Sequence, residues 1–344
     1  MTGPVGGEAG KSTGADVFTV HGGNLAAARA RFKGAPEPWL DLSTGINPIA
    51  YPIPPISQSA WTRLPEQAAV AALEAAAARA YGAPLPNMVV AAPGTQALIQ
   101  LLPRVRPARD VRILGFSYAE HRKAWERSGA TVAVVDTLDA LAGAQVAVVV
   151  NPNNPDGRLV EPDRLRDFAR ANPYTHLVID EAFADVLAPE ASILPRLPGN
   201  TVVLRSFGKT YGLAGVRLGF AVVMPQGADR LHHELGPWAV SGPALAVGRA
   251  ALEDVEWLNE AKARLARDAA RLDRLLSGAG FEPAGGTPLF RFVRTPDASK
   301  AFTALAHQGV LVRRFEGWPG VLRFGLPGYE DDWTRLAERL TEVG

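Results

Sequence analysis

A series of short apolar runs, alternating with helix-like segments, constrains the fold of this chain more than any other feature of its sequence. The runs are Met88–Ala92, Val111–Leu114, Thr131–Val135, Gln145–Val150, His176–Ile179, Thr201–Leu204 and Leu218–Met224. Runs this short and this apolar are typical of strands that are buried on both faces of a sheet. Strands that alternate with helices predict a mostly parallel central sheet with helices on both faces, and therefore an α/β fold.

Small or polar residues stand just beyond the ends of five of these runs. They are Gly94, Tyr118, Asn154, Asp180 and Lys209. The ligand of an open parallel sheet binds outside the carboxyl ends of its strands. We therefore expect these residues to lie around one site.

Lys209 carries the clearest chemical signal among them. The chain has six lysines against thirty arginines, and only Lys209 stands between a strand end and a glycine-rich loop, residues 206–219. Burial disfavours the ammonium form of a lysine, which lowers its pKa and leaves a nucleophilic amine. Such an amine suits Schiff-base chemistry with a carbonyl cofactor such as pyridoxal phosphate, and the neighbouring Ser206 and Arg217 suit a phosphate group. A surface turn that contains one lysine is the alternative.

The segment Gly94-Thr95-Gln96 opens a predicted helix, which runs through Leu102, directly after the strand Met88–Ala92. The first turn of a helix leaves N–H groups unpaired and carries the positive end of the helix dipole, so it favours an anion. Many α/β loops share this arrangement, so by itself the segment is a weak signal for phosphate binding.

Composition and charge exclude several functional classes. The chain of 344 residues has no cysteine, which excludes disulfides, thiolate catalysis and thiolate metal sites. Its net charge of +1 gives no reason to expect a nucleic acid, and its six histidines form no His-Glu-x-x-His pattern that would suggest a metal. No apolar run reaches about eighteen residues and no signal-like segment begins the chain, so we expect no membrane partner and a cytoplasmic location.

The patterns divide the chain into a tail and two domains. Residues 1–17 are predicted to form a flexible tail. Residues 46–235, which hold the apolar runs, are predicted to form the large domain, which would bind pyridoxal phosphate (PLP). Residues 18–45 and 236–344 form the predicted small α+β domain, which begins with a long helical region, Pro237–Leu276. Its later patterns are the strands Leu289–Val293, Val310–Arg313 and Val321–Gly325 and the helix Lys300–Gln308.

Four motifs occur together in a specific order and spacing. They are Asn-Pro-Asn-Asn154-Pro-Asp-Gly157, Asp180-Glu-Ala, Ser206-Phe-Gly-Lys209 and Gly215-Val-Arg217-Leu-Gly219. With them the chain resembles the fold-type I pyridoxal-phosphate enzymes of the class I/II aminotransferase superfamily over roughly residues 20–330. Three further segments resemble the threonine-phosphate decarboxylases of cobalamin biosynthesis more closely than the related histidinol-phosphate aminotransferases. They are His21-Gly-Gly-Asn24, Trp61-Thr-Arg-Leu-Pro65 and Pro237-Trp238-Ala-Val-Ser241.

The resemblance implies how these residues would hold pyridoxal phosphate. Lys209, Asp180 and Tyr118 would be the catalytic residues. Lys209 would carry the cofactor covalently and later move a proton, while Asp180 would pair with the pyridine nitrogen and keep it protonated. Asn154 would donate to the phenolic oxygen, and Tyr118 would stack on the ring. The residues implied for the cofactor phosphate are Gly94, Thr95, Gln96, Ser206 and Arg217.

The resemblance also implies residues that would bind the substrate. Arg323 would bind a carboxylate in a bidentate fork, with Asn47 as a further contact. His21, Asn24 and Arg313 would bind a phosphate or another distal group. Asn24 is equally well placed to cap the helix that begins at Leu25.

The implied activity is decarboxylation of L-threonine O-3-phosphate to (R)-1-amino-2-propanol O-2-phosphate. The same residues would also serve an aminotransferase of the histidinol-phosphate type, because the bond that breaks is the one perpendicular to the cofactor ring. A non-catalytic pyridoxal-phosphate-binding protein of the pathway is the third alternative. The superfamily further implies a homodimer that acts on a small phosphorylated amino acid.

Two positions depart from the pattern of the superfamily. Phe183 stands where a tyrosine often helps to hold the phenolic oxygen, and Leu64 stands where a tyrosine often reaches the cofactor phosphate across the dimer interface. Each change removes a hydrogen bond worth roughly 0.5–1.5 kcal/mol. We expect cofactor binding to survive, because the covalent bond to Lys209 remains.

Overall fold

The computed structural model describes residues 17–341, so the tail predicted over residues 1–17 lies outside the described residues apart from its last position. The helices are α1 (Val17–Val20), α2 (Leu25–Arg31), α3 (Gln58–Thr62), α4 (Gln67–Tyr81), α5 (Thr95–Val105), α6 (Ala119–Arg127), α7 (Pro162–Ala171), α8 (Phe207–Thr210), α9 (Pro225–Leu235), α10 (Gly242–Glu253), α11 (Val255–Gly278), α12 (Ala298–His307) and α13 (Glu330–Thr341). The strands are β1 (Leu40–Asp41), β2 (Val89–Ala92), β3 (Asp110–Leu114), β4 (Thr131–Val135), β5 (Val146–Val150), β6 (His176–Asp180), β7 (Thr201–Ser206), β8 (Gly219–Val222), β9 (Glu282–Thr287), β10 (Phe290–Arg294), β11 (Val310–Leu311), β12 (Arg313–Arg314) and β13 (Val321–Gly325).

A seven-stranded sheet forms the centre of the molecule, in the strand order β2-β8-β7-β6-β5-β3-β4. The strands from β4 across to β7 run parallel, and β8 runs antiparallel to both β7 and β2. The strands predicted between residues 88 and 224 are all members of this sheet. The predicted α/β class with a mostly parallel sheet is therefore confirmed.

Both faces of the seven-stranded sheet are buried, which is why its strands are continuous apolar runs. On β5, Val146 and Val148 belong to one hydrophobic cluster, while Ala147 and Val149 belong to another. Because alternate residues of a strand face opposite sides, the two clusters lie on opposite faces of the sheet. Helices α4, α7 and α10 contribute to the cluster around Val149, and α5, α6 and α9 contribute to the one around Val148.

A second sheet of four antiparallel strands has the order β12-β13-β10-β9. It buries Phe290 and Phe324 in a third hydrophobic cluster, to which α11, α12 and α13 contribute. Beside it, β1 pairs in parallel with β11. Within this sheet Arg313 of β12 lies directly opposite Arg323 of β13. Directly opposed residues project from the same face, so the two arginine side chains are neighbours.

The helical region predicted over residues 237–276 contains a break. Residues 237–241 are not helical, and α10 runs only from Gly242 to Glu253. Asp254 then caps α11, because its side chain accepts a hydrogen bond from the Trp257 N–H at 3.0 Å. Aspartate favours such a cap over a position inside a helix, which is the physical reason for two helices in place of one.

Helix α9, strand β9 and helix α13 were not predicted from the sequence. Strand β9 contains Pro283, Gly285 and Gly286, which weaken any apolar alternation, and it forms by pairing with β10. Helix α5 continues beyond its predicted end at Leu102 and includes Pro103 in its last turns. Pairing with β10 therefore decided β9 against local sequence preference, whereas α13, with three acidic residues in its first turn and Arg339 in its last, agrees with local preference.

The predicted division into residues 46–235 against residues 18–45 with 236–344 stays a prediction. Helix α10 packs on α4 in the cluster around Val149. Helix α11 contacts that cluster through Trp257 and contributes Leu265 to the cluster of the small sheet. The long helix α11 therefore joins the cores of the two sheets.

Helix α11 is the longest of the described helices, with 24 residues, and it alternates buried leucines with charged side chains. Between residues 17 and 341 no helix combines the length and the apolar character that crossing a membrane requires.

Candidate active site

A cavity of about 580 Å³ lies where the carboxyl ends of the parallel strands meet the small sheet. The predicted site residues on its wall are His21, Tyr118, Asn154, Asp180, Lys209, Arg313 and Arg323. They come from the carboxyl ends of four different strands or the segments directly after them, from the segment before α2, and from β12 and β13. The structure thus brings residues that are far apart in the sequence around a single cavity.

Lys209 lies in α8, a single turn of helix that begins directly after β7. Its Nζ is 5.6 Å from the centroid of the Phe183 ring. Burial lowers the pKa of Lys209 to about 8, with further lowering by the charges of Arg323 and Arg217 and partial opposition from Asp180. Roughly a tenth of the amine is therefore neutral at pH 7, far more than for an ordinary lysine.

Asp180 ends β6 and is buried beside the cavity. Its Oδ1 accepts a hydrogen bond from the Ala182 N–H at 3.0 Å, and its Oδ2 is 2.8 Å from Nε2 of the fully buried His121. His121 was not predicted, since the only signal in the sequence is its position three residues after Tyr118. By holding one oxygen, His121 fixes the orientation of the Asp180 carboxylate.

Arg323 of β13 reaches the loop that follows β5. Its Nη1 donates to Asn154 Oδ1 at 2.6 Å, and its Nη2 donates to the main-chain oxygen of Ser43 at 3.1 Å. Burial, and next the charge of Arg313, lower the pKa of Arg323 to about 9, so the guanidinium remains charged at pH 7. Its Nε has no hydrogen-bond partner among the residues that the structure describes. A buried cation with an unpaired donor is suited to an anionic ligand.

Tyr118 lines the cavity immediately before α6, and its hydroxyl donates to Gln96 Oε1 at 3.1 Å. Burial, followed by the negative charges of Glu120 and Asp180, raises the pKa of Tyr118 to about 12. The phenol therefore keeps its proton over the physiological range. Through this bond Gln96, which is not itself on the cavity wall, helps to fix the Tyr118 ring.

Four of the residues predicted to bind the cofactor phosphate meet at the N-terminus of α5. Gly94 has φ of 87°, and a Cβ on it would lie 2.6 Å from Nη2 of Arg217. A Cβ on Gly219 would lie 2.4 Å from the main-chain nitrogen of Thr95, and Gly219 pairs with Ser206 between β8 and β7. Two glycines thus allow the strand pair of Ser206 and Gly219, the first turn of α5 and the Arg217 guanidinium to approach closely at the positive end of a helix.

His21 and Arg313 present nitrogen donors to the same cavity. Arg313 donates to the main-chain oxygens of Phe18 and Thr19 at 3.0 and 2.9 Å, and burial lowers its pKa to about 10. Burial also lowers the pKa of His21, while Glu120, 3.6 Å from its Nε2, opposes the change. Both side chains are held where they would meet a ligand in the cavity.

Asn24 and Asn47 are not part of the cavity wall. Asn24 caps α2, because its Oδ1 accepts a hydrogen bond from the Ala27 N–H at 3.1 Å. Asn47 is buried, donates to the main-chain oxygen of Thr210 at 2.8 Å, and accepts from Arg264 at 2.8 Å. Their predicted contacts with substrate stay predictions, and the bonds described here are structural.

The residues around the cavity fit pyridoxal phosphate by their chemistry. Lys209 offers an amine of low pKa to an aldehyde, and Asp180, fixed by His121, offers a carboxylate to a protonated ring nitrogen. The N-terminus of α5 offers the cradle that a phosphate requires. Its residues Gly94 and Thr95 are not on the cavity wall, and Gln96 joins this turn to the wall through its bond with Tyr118. Phe183 offers no hydroxyl to the phenolic oxygen, so Asn154 is the side chain that remains for that atom.

Comparison with known proteins gives a consistent result. Residues 54–340 match the family model described as aminotransferase class I and II. The chain is 42% identical over 335 residues to a threonine-phosphate decarboxylase of a Sinorhizobium species, which covers 94% of this chain and 98% of the relative. It is 32% identical over 272 residues to histidinol-phosphate aminotransferase 2 of Ralstonia nicotianae, covering 72% and 70% of the two chains.

Solved structures of more distant sequence share the fold. A histidinol-phosphate aminotransferase from Sinorhizobium meliloti, in complex with pyridoxal-5'-phosphate, matches with a TM-score of 0.77 at 22% identity, covering 92% of this chain and 94% of that chain. The L-threonine-O-3-phosphate decarboxylase from Porphyromonas gingivalis matches with a TM-score of 0.70 at 21% identity, covering 82% and 93%. The predicted fold of the type I pyridoxal-phosphate enzymes is confirmed, and by the match over residues 54–340 the chain belongs to the class I and II aminotransferase family.

Proposed function

We propose that this protein is a pyridoxal-phosphate-dependent lyase that decarboxylates L-threonine O-3-phosphate to (R)-1-amino-2-propanol O-2-phosphate, a step of cobalamin biosynthesis. The observation that carries the proposal is a buried lysine amine that shares one cavity with the cationic side chains Arg323 and Arg313. A substrate with a carboxylate and a second, distal anion matches that pair of charges. The 42% identity to a threonine-phosphate decarboxylase over 94% of this chain supports the same substrate.

Pyridoxal phosphate is the cofactor, and residues of this chain would hold each part of it. Lys209 would hold the aldehyde carbon, and Asp180 would face the ring nitrogen. Asn154 would donate to the phenolic oxygen, and Tyr118 would lie against the ring. The cofactor phosphate would be held by Gly94, Thr95, Gln96, Ser206 and Arg217.

Lys209 and Asp180 would have different roles in the reaction. Bound pyridoxal phosphate supplies an aldehyde that condenses with the substrate amine and an electron sink for the pair left at Cα. The lowered pKa of Lys209 lets its amine give and take a proton near neutral pH. Asp180 would hold the proton on the ring nitrogen, and His121 would keep the Asp180 carboxylate in the orientation this needs.

Arg323 would determine which substrate bond breaks, because it would hold the α-carboxylate. Held so that its bond to Cα is the one that breaks, the carboxylate would leave as carbon dioxide, and the electron pair of that bond would remain at Cα. A proton delivered to Cα then completes the amine product, and the distal phosphate is unchanged. Lys209, an amine of lowered pKa on the cavity wall, would carry this proton.

An aminotransferase of the histidinol-phosphate type is the second candidate function. It is favoured by the 32% identity to histidinol-phosphate aminotransferase 2 of Ralstonia nicotianae over 272 residues. The same Arg323 would then hold the carboxylate in another orientation, so that the bond from Cα to its proton would break instead. The lower identity and the smaller share of the chain that is matched place this candidate second.

Product analysis separates the two candidates. We expect the protein loaded with pyridoxal phosphate to release carbon dioxide from L-threonine O-3-phosphate when no keto acid is present. We expect one aminopropanol phosphate to form for each carbon dioxide released. Turnover that requires added 2-oxoglutarate, with glutamate as a product, would instead establish the aminotransferase.

We further propose that the protein is a homodimer. Large apolar side chains are exposed on and beside α3 and before α10: Ile53, Trp61, Leu64 and Trp238. Trp61 lies in α3, which packs against α10, and Leu64 lines a groove of about 300 Å³ beside these two helices. The segment from Ile46 to Leu64 runs from the wall of the active-site cavity to this surface, so a second copy bound there would lie close to the site.

The cytoplasmic location stays a prediction.

A further inference from the structure

One more cationic side chain lies on the wall of the active-site cavity, and neither the sequence motifs nor the mechanism above uses it. Lys123 belongs to α6, the helix that begins directly after Tyr118. Its side chain is 45% exposed, so the ammonium is partly solvated and accessible to a ligand. Lys123 is thus a further basic residue on the wall that also carries His21 and Arg313.

Glu120 holds Lys123 in this position from behind the wall. The Glu120 side chain is 11% exposed, and its Oε1 is 2.9 Å from Lys123 Nζ and 3.6 Å from His21 Nε2. Its Oε2 accepts a hydrogen bond from Gln96 Nε2 at 3.2 Å. Because Lys123 and His21 contact the same oxygen, their nitrogens are neighbours at the cavity wall. The carboxylate therefore orients two cationic groups at once.

The basic groups in this part of the cavity act on one another electrostatically. Lys123 and Arg313 both disfavour the charged form of His21, which places all three groups in one electrostatic neighbourhood. Burial raises the pKa of Glu120, but Lys123 and His21 more than reverse this, so its carboxylate is ionised near neutral pH. Glu120 thus contacts Lys123 and His21, and Arg313 lies in the same electrostatic neighbourhood. A phosphate bound beside these groups would raise the pKa of His21.

We infer that Lys123 is a specificity-determining residue that binds the distal phosphate of the substrate together with His21 and Arg313, and that Glu120 is its positioning residue. This inference rests on the proposed function, because it assigns the distal phosphate of that substrate. The oxygens of an ionised phosphate accept strong, charge-assisted hydrogen bonds from an ammonium. Lys123 has three N–H donors, so it can donate to a phosphate while Glu120 keeps it at the cavity wall.

The neighbouring residue offers a matched control. Arg122 stands next to Lys123 on α6 and pairs with Glu126 on the exposed side, with its Nε 2.6 Å from Glu126 Oε1. It is not part of the cavity wall. Replacing Arg122 or Lys123 by glutamine removes one positive charge from the same helix. Only the second change removes a cation from the cavity.

The test compares Lys123→Gln, Lys123→Arg and Arg122→Gln with the wild type, all loaded with pyridoxal phosphate. For Lys123→Gln we expect KM for L-threonine O-3-phosphate to rise about tenfold with kcat within about threefold, because a uniform binding contact is lost. Lys123→Arg should recover most of the wild-type KM, and Arg122→Gln should match the wild type. Calorimetric titration of the same proteins with inorganic phosphate should show the same order of affinities.

The outcomes separate this inference from the proposed function. An unchanged KM and an unchanged phosphate affinity in Lys123→Gln would overturn the role of Lys123. So would an equal loss in Arg122→Gln, since the effect would then be one of net charge. A wild type that does not decarboxylate L-threonine O-3-phosphate, but whose phosphate affinity still depends on Lys123, would overturn the proposed function and leave the anion site standing.

Discussion

At the scale of single residues, burial prepares Lys209 for its chemistry. Its Nζ is 5.6 Å from the centroid of the Phe183 ring, and burial, with the charges of Arg323 and Arg217, lowers its pKa to about 8. An amine reacts with an aldehyde only in its neutral form. The protonation of this one group therefore controls how fast the cofactor becomes attached.

We predict that covalent attachment of pyridoxal phosphate to the cofactor-free protein accelerates about tenfold per pH unit below about pH 8 and then levels off. The sign follows from the lowered pKa, since Lys209 loses its proton as the pH rises through that value. The measurement is the growth of visible absorption after mixing, with Lys209→Ala as the blank. A rate that continues to climb to about pH 10 would show an ordinary lysine.

Two glycines of the lysine loop provide a test of the phosphate cradle. A Cβ on Gly219 would lie 2.4 Å from the main-chain nitrogen of Thr95, whereas a Cβ on Gly215 would meet no atom within 4 Å. We predict that Gly219→Ala weakens binding of pyridoxal phosphate by at least about tenfold, because the first turn of α5 must shift. Gly215→Ala should bind as the wild type does. Equal affinities of the two variants, measured by equilibrium dialysis, would count against the cradle.

At the scale of elements, a buried ion cluster joins the end of β6 to β7. Arg205 of β7 pairs with Asp185 and lies 2.9 Å from Glu181 Oε2, while Ser192 Oγ donates to Glu181 at 2.7 Å. Glu181 directly follows Asp180, and Arg205 precedes the turn that carries Lys209. The cluster therefore fixes the two strand ends from which the predicted catalytic residues project.

We predict that Arg205→Met destabilises the protein by about 3–5 kcal/mol near pH 8, because it leaves two buried carboxylates without their cation. Burial raises the pKa of both Glu181 and Asp185, so the folded variant takes up protons more readily than the unfolded chain. Its loss of stability should therefore shrink as the pH falls toward 5. Urea unfolding at the two pH values measures this.

The exposed pair Arg170–Asp167 supplies the control for that prediction. Both side chains are 71% exposed, so Arg170→Met should change the free energy of unfolding by less than about 1 kcal/mol at either pH. If Arg205→Met also changed the free energy of unfolding by less than about 1 kcal/mol, the ion cluster would have no structural role.

The two sheets also touch through their backbones beside the cavity. Gly157, in the loop after β5, has φ of 76°, and a Cβ there would lie 2.1 Å from the main-chain oxygen of Gly286 in β9. A Cβ on Gly285 would lie 2.3 Å from the oxygen of Asp156. Glycines on both sides allow this approach, and it brings Asn154 within reach of Arg323.

At the scale of the whole molecule, the proposed dimer would cover the exposed apolar side chains around α3. We predict that the wild type sediments at twice the chain mass of 36.5 kDa. Trp61→Ser combined with Leu64→Ser should shift it toward the monomer, because it removes two large apolar side chains from the surface. Tyr174→Ser, which alters an exposed aromatic residue before β6, should leave the dimer intact. A wild type that sediments as a monomer at micromolar concentration would contradict the proposal.

Much of the large sheet was predictable, and much of the site's detail was not. The strands of the large sheet are apolar runs whose burial depends little on their order, so the pattern alone located them. Lys209 and Asp180 were found because each follows such a run. His121 and Lys123 were missed because their partners, Asp180 and the cavity wall, are set by packing and not by neighbours in the chain.

The sequence by itself determined which segments are strands of the large sheet, which residues follow them, and which family the motifs resemble. Only the tertiary structure decided that β8 inserts between β2 and β7, that Arg313 lies opposite Arg323, and that Arg323 reaches Asn154. The physical reason is the distance along the sequence over which each interaction acts. Apolar periodicity and helix capping act over a few residues, whereas Asn154 and Arg323 are 169 positions apart and meet only when both sheets have packed around the cavity.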